Sequence, residues 1–225
     1  MFDLLMVLIS LVGGFVLSLV LGKFLIPALR ALKVGQSIRE VGPKWHNGKS
    51  GTPTMGGLMF IAASLLCIAT GWRSMREGNY AHLLVLALAL AFGLIGFADD
   101  FIKVKKKRNL GLTGLQKLVL QIIAAAAFLY FLYRHGALSC DLYLPFKAAP
   151  VTGIPKVVYL AFAVFVIVGC VNAVNLTDGI DGLASGVTMP VMLFFVLTSM
   201  LMKKMGLATF LAALLGGLGG FPVYN

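Results

Sequence analysis

Charged residues punctuate this chain at intervals, and the stretches between them are almost wholly apolar. Runs free of Asp, Glu, Lys and Arg cover residues 4–22, 50–72, 78–98, 118–133, 157–177, 182–202 and 205–225. A helix needs about 20 apolar residues to cross a hydrocarbon core roughly 30 Å thick. The pattern therefore predicts about seven transmembrane helices and an all-α polytopic integral membrane protein, with residues 1–225 forming a single membrane-embedded domain. The fourth run is short, but Lys117 and Arg134 at its ends can snorkel to the interface. The first run does not read as a signal peptide, because Asp3 stands where a basic region would be and no small-residue cleavage site follows. Only 139–154, with Pro145, Pro150 and Gly153 and with Pro155 just beyond it, interrupts the helical pattern, and a short hairpin is expected there.

Composition narrows the class. Hydrophobic residues make up 60% of the chain and charged residues 12%, with a mean hydropathy of +0.96, whereas soluble domains carry roughly 25% charged residues. A soluble globular enzyme, a disordered chain and a secreted disulfide scaffold are excluded. Cys67 and Cys170 lie inside apolar runs and Cys140 stands alone in a loop, so no disulfide framework or CxxC metal site is suggested. The net charge is +11. These cations flank apolar runs, which explains them by membrane orientation and anionic ligands rather than by nucleic acid. The first and third loops hold twelve of the nineteen Lys and Arg residues. The positive-inside rule then places loops one, three and five in the cytoplasm and the N-terminus outside, loop five by parity alone.

Three polar clusters fall on that cytoplasmic side. Asp99 and Asp100 close the third run, where adjacent carboxylates repel each other and face the negative end of the helix dipole. A cation offsets them, either Lys103 and Lys105 on a plain helix end or a magnesium ion, which takes one or two carboxylates and fills its shell with phosphate oxygens and water. The second cluster is Asn172-Ala-Val-Asn175-Leu-Thr-Asp178-Gly-Ile-Asp181-Gly. Asn172 and Asn175 share a helix face, and Gly179 and Gly182 let the backbone turn close to a ligand. The third is Lys49-Ser-Gly51-Thr52-Pro53-Thr54-Met55-Gly56-Gly57, whose hydroxyls and helix start suit an anion weakly. Lys117 opens the fourth run and can reach back to a phosphate; Gly216 and Gly220 form a GxxxG suited to helix packing. His46, His82 and His135 are too scattered to form a ligand set. Carboxylates, amides and cations at the cytoplasmic ends of apolar helices suit a metal-assisted transfer between a soluble phosphorylated donor and a lipid. A transporter would place its ionisable groups nearer the midplane.

The three strings, in this order, closely resemble the phospho-N-acetylmuramoyl-pentapeptide-transferase family, within the polyprenyl-phosphate N-acetylhexosamine-1-phosphate transferases of glycosyltransferase 4 type. The Gly-Thr-Pro-Thr-Met-Gly-Gly string, 51–57, is the most specific signal for the muramoyl branch. The resemblance implies a transferase of the bacterial plasma membrane. It would use magnesium to move phospho-N-acetylmuramoyl-pentapeptide from its UDP carrier to undecaprenyl phosphate, giving lipid I and UMP in peptidoglycan synthesis. It implies Asp99 as the base that deprotonates or orients the lipid phosphate and Asp100 as its support. Asp100 and Asp178 are implied at the metal. Lys49, Thr52, Thr54, Lys117, Asn172, Asn175, Asp178 and Asp181 are implied at the nucleotide-sugar. A sister enzyme that transfers GlcNAc-1-phosphate, or an inactive shortened homologue, is the alternative, and a homodimer is left open.

The resemblance runs along essentially the whole chain, yet family members have ten spans. These residues correspond to the N-terminal two-thirds, and a further metal-binding Asp loop and a His cluster belong to the part beyond. On that reading these 225 residues alone are expected to show little or no transferase activity.

Overall fold

The computed structural model describes residues 2–31, 55–106, 110–144, 146–147, 149–178 and 182–224. The described chain is helical: α1 Phe2–Ala31, α2 Leu58–Ser64, α3 Leu66–Thr70, α4 Trp72–Arg76, α5 Ala81–Lys105, α6 Gly114–Arg134, α7 Lys156–Thr177, α8 Leu183–Leu201 and α9 Met205–Gly220, which a 3-10 turn extends over Phe221–Val223. Among the described residues, six segments are long and apolar enough to cross a membrane: α1, α5, α6, α7, α8 and Met205–Val223. The protein is a multi-pass membrane protein.

The expected second span differs from the others. Its described part, Leu58–Thr70, is an apolar but interrupted helix, and α4 follows it through Gly71. The Ser64 hydroxyl donates to the Ile61 carbonyl at 2.6 Å, while the Leu65 N–H turns to Ala62 O at 3.2 Å. Such back-bonding tightens and bends a helix. Two other boundaries also move. α1 continues through Lys23 and Pro27 to Ala31. α5 continues past Ala98 to Lys105, so Asp99 and Asp100 lie inside a helix rather than at its end. The dipole effect fades beyond the last turn, so the repulsion expected from the helix terminus does not apply, and a neighbouring side chain answers the two charges instead.

The core sits around α9, whose membrane window is 61% buried against 6% for α7. α9 packs most extensively on α1, and also on α8 and α2. Bilayer helices gain little from hydrophobicity when they associate, so close backbone approach is what holds them. A Cβ on Gly216 would strike the Leu11 carbonyl and the Phe15 nitrogen, and one on Gly14 would strike Ala213 O. The GxxxG is thus a packing surface, as its spacing suggested. Ser10 on α1 donates to Thr70 Oγ1 at 2.7 Å, a buried interhelical bond. His82, expected near a membrane edge, is fully buried against Gly71 and Gly206, and its nitrogens have no hydrogen-bond partner among the described residues.

α5, α6 and α7 form a sequential layer, each packed on the next. The loop joining α6 to α7 carries the expected hairpin in minimal form. Leu142 and Val151 exchange backbone hydrogen bonds of 3.0 and 2.9 Å in an antiparallel bridge.

Candidate functional site

Three consecutive elements build the site: the last turns of α5, the short loop into α6, and the facing end of α7. Asp99 is the enclosed member of the carboxylate pair, its side chain 14% exposed against 31% for Asp100. One turn further along α5, Lys103 places its Nζ 2.6 Å from Asp99 Oδ2 and 2.9 Å from Asp100 Oδ1. The other oxygen of Asp99, Oδ1, accepts the Leu112 backbone N–H at 2.8 Å. Gly111 allows this approach, because a Cβ there would run into both the carboxylate and the carbonyl of Asp99.

The same loop starts α6. Thr113 is its N-cap: the hydroxyl accepts the Gln116 N–H at 3.2 Å, and the Gln116 carboxamide oxygen accepts the Thr113 N–H at 3.0 Å. This reciprocal box satisfies two otherwise unpaired donors and fixes the first turn. Lys117 follows one turn later. Its ammonium attracts the Asp99 carboxylate through space and donates to Asn175 Oδ1 on α7 at 3.1 Å.

A second rung lies one turn deeper. Asn172 donates through Nδ2 to Gln121 Oε1 at 2.7 Å and to the Val168 carbonyl at 2.8 Å. Gln121 is 2% exposed. Lys117 and Gln121, four apart on α6, thus meet Asn175 and Asn172, three apart on α7, in antiparallel order. Below this ladder an apolar trough of about 410 Å³ opens between the two helices, lined by Leu118, Ile122, Ala161, Phe165 and Val168, with Asn172 at its head.

The structure therefore brings Asp99, Asp100, Lys117, Asn172 and Asn175 to one end of the α5–α7 layer. Asp178 is at that end too, as the exposed C-cap of α7, its N–H bonded to Val174 O at 3.2 Å. Gly182, at φ +75°, makes the left-handed turn into α8 that its glycine permits. Lys49, Thr52, Thr54 and Asp181 lie outside the described residues. Among the described residues no three His, Cys, Asp or Glu side chains converge. The paired carboxylates still suit magnesium, which needs only one or two from the protein when phosphate supplies the rest.

The sequence left Gln121 unnoticed, although it is the one carboxamide in the run 118–133, and an isolated polar side chain within an apolar span is itself a signal. Lys103, whose spacing marks it as a counter-ion, takes that place for both carboxylates.

Comparison with known proteins points to one family. The model of glycosyl transferase family 4 matches residues 82–225. A phospho-N-acetylmuramoyl-pentapeptide-transferase signature matches residues 49–61, the string that pointed to the muramoyl branch. Proteins named phospho-N-acetylmuramoyl-pentapeptide-transferase are similar along nearly the whole chain. That of Thermoanaerobacter sp. (strain X514) is 46% identical over 221 residues, covering 97% of this chain and 67% of the relative. That of Bacillus subtilis (strain 168) is 42% identical over 219 residues, with the same coverage. That of Clostridium acetobutylicum is 42% identical over 221 residues. The chain spans about two thirds of the length of these relatives.

Proposed function

The chain belongs to the phospho-N-acetylmuramoyl-pentapeptide-transferase family, and on that premise we propose that it moves phospho-N-acetylmuramoyl-pentapeptide from UDP to undecaprenyl phosphate, giving lipid I and UMP at the cytoplasmic face of the bacterial plasma membrane. The observation that carries this reading is the pair of bonds from the Leu112 N–H to Asp99 and from Lys117 to Asn175, which gathers a carboxylate, a cation and an amide at one end of the α5–α7 layer.

Phosphoryl transfer leaves a protein little covalent chemistry to perform, so positioning and charge stabilisation dominate. An oxygen of the lipid phosphate attacks the β-phosphorus of the donor, the bond to the α-phosphate oxygen breaks, and UMP leaves with that electron pair. Asp99 is held by Lys103 and Leu112 with lone pairs to spare, and it orients the attacking phosphate or takes its proton. Lys117 offsets negative charge on the diphosphate. Asn172, Asn175, Asp178 and Asp181, with Lys49, Thr52 and Thr54, hold the uridine, diphosphate and sugar. Asp100 and Asp178 would hold magnesium, whose charge would stabilise the departing UMP. The cation distribution supports an outside N-terminus and an inward-facing site.

The test measures UMP released by the complete gene product in lipid nanodiscs containing undecaprenyl phosphate. Turnover with the UDP-muramoyl-pentapeptide and none with UDP-GlcNAc is expected; the reverse preference overturns the assignment.

A further inference from the structure

Asn172 is fixed in an unusual way. The Val168 carbonyl can only accept, so the Asn172 atom 2.8 Å from it is the nitrogen. With that orientation set, the Gln121 atom 2.7 Å from the same nitrogen is its acceptor oxygen, Oε1. Both hydrogens of the Asn172 amide are consumed, one within α7 and one across to α6. Its oxygen Oδ1 takes no hydrogen bond from the described residues. Asn172 sits at the head of the trough with acceptor capacity only.

We propose that Gln121 is a positioning residue that locks Asn172 into an acceptor-only group, and that Asn172 consequently engages a hydroxyl or amide N–H of the nucleotide-sugar and not a phosphate oxygen. This rests on the transferase reading above. A phosphate oxygen needs a donor, and Asn172 has none left to offer. The phosphate-facing work at this end falls to Lys117, one rung away on α6, whose ammonium carries three N–H groups and gives one to Asn175. Undecaprenyl phosphate, with a hydrocarbon tail and an anionic head, has little for Asn172 to accept from. The donor, with its sugar hydroxyls, acetamido and peptide N–H groups and uracil N–H, has many. Gln121 thereby assigns the hydroxyl- and N–H-bearing part of the donor to one rung and leaves its diphosphate to the other, without touching either.

Two substitutions separate this from a packing role. Gln121→Met keeps the length and removes the acceptor. Gln121→Glu keeps an acceptor oxygen, with Lys117 one turn away to offset its charge. In the complete gene product, Gln121→Met is expected to raise KM for the UDP-muramoyl-pentapeptide by roughly ten-fold, about what one misaligned hydrogen bond to substrate costs, with kcat and the KM for undecaprenyl phosphate within about two-fold. Gln121→Glu should recover most of the donor KM. Side-chain amide exchange of selectively labelled Asn172 supplies a reading independent of turnover, and it should accelerate in Gln121→Met. An unchanged donor KM, a matching rise for undecaprenyl phosphate, a loss that Gln121→Glu does not recover, or unchanged exchange each overturn the assignment. Wild-type protein that releases no UMP from this donor sinks the functional reading itself and takes the Gln121 assignment with it. Active wild type with an indifferent Gln121→Met sinks only the latter.

Discussion

Asp99 Oδ1 accepts the backbone N–H of Leu112, thirteen residues along the chain, at 2.8 Å. This bond ties the end of α5 to the start of α6, and Gly111 lies against the same carboxylate. Gly111→Ala should therefore act on Asp99 without touching it. The added methyl meets the Asp99 carbonyl as well as its carboxylate, and the carbonyl belongs to a helix that cannot yield. The loop lifts and Leu112 detaches. UMP release should fall about a hundred-fold, the usual cost of misplacing a catalytic group by an ångström, while the melting temperature changes little because the bundle core is remote. Wild-type rates in Gly111→Ala would show that the loop is free to slide.

Lys103 bridges both carboxylates, with its side chain 35% exposed. It occupies the position that a divalent cation would contest. Lys103→Gln keeps much of the side-chain length and removes the competitor, so the half-saturating magnesium concentration should fall roughly three- to ten-fold, in the direction set by Coulomb attraction to the freed carboxylates. A magnesium titration of initial rates reads this directly. A rise would mean that Lys103 holds Asp100 in shape rather than competing for it.

Thr113 caps α6 ahead of Lys117. Thr113→Ala removes the acceptor for the Gln116 N–H and should cost about 1 kcal/mol of local stability. Faster amide exchange at Gln116 is the expected sign, with Thr113→Ser restoring protection.

The glycines of α9 differ in what stands opposite them. Gly216→Ala meets α1 backbone, whereas a Cβ on Gly219 lies 3.5 Å from the Phe15 ring, an ordinary contact. Gly216→Ala should lower thermal stability by about 1–3 kcal/mol through overpacking, and Gly219→Ala should be nearly silent. Parallel melting curves in one detergent make the comparison.

The long spans were legible because a bilayer tolerates few alternatives to an unbroken apolar helix. Their ends were less so. α5 runs through Asp99 and Asp100 to Lys105, where Lys103 one turn on pairs both carboxylates and offsets their repulsion within the helix. The break near Ser64, where the Leu65 N–H bonds Ala62 O and the Ser64 hydroxyl bonds Ile61 O, is a local backbone event that hydropathy does not register. Within the site, the Lys103–Asp99 pair follows from i,i+4 spacing and could be read locally. The Leu112–Asp99 bond depends on a loop folding back. The Lys117–Asn175 and Gln121–Asn172 rungs depend on the register between two antiparallel helices, and no pattern within either helix specifies it.

The central place of α9 has a consequence for how the protein is made. Tyr224, just after α9, donates its hydroxyl to the Leu19 carbonyl of α1, a partner 205 residues away. Helices emerge from the ribosome in order, so the part of the α1 face that meets α9, with Gly14 against Ala213, stays without that partner until α9 itself has been synthesised. Only then can α9 take its place against α1, α2 and α8 and join helices that lie far apart along the chain.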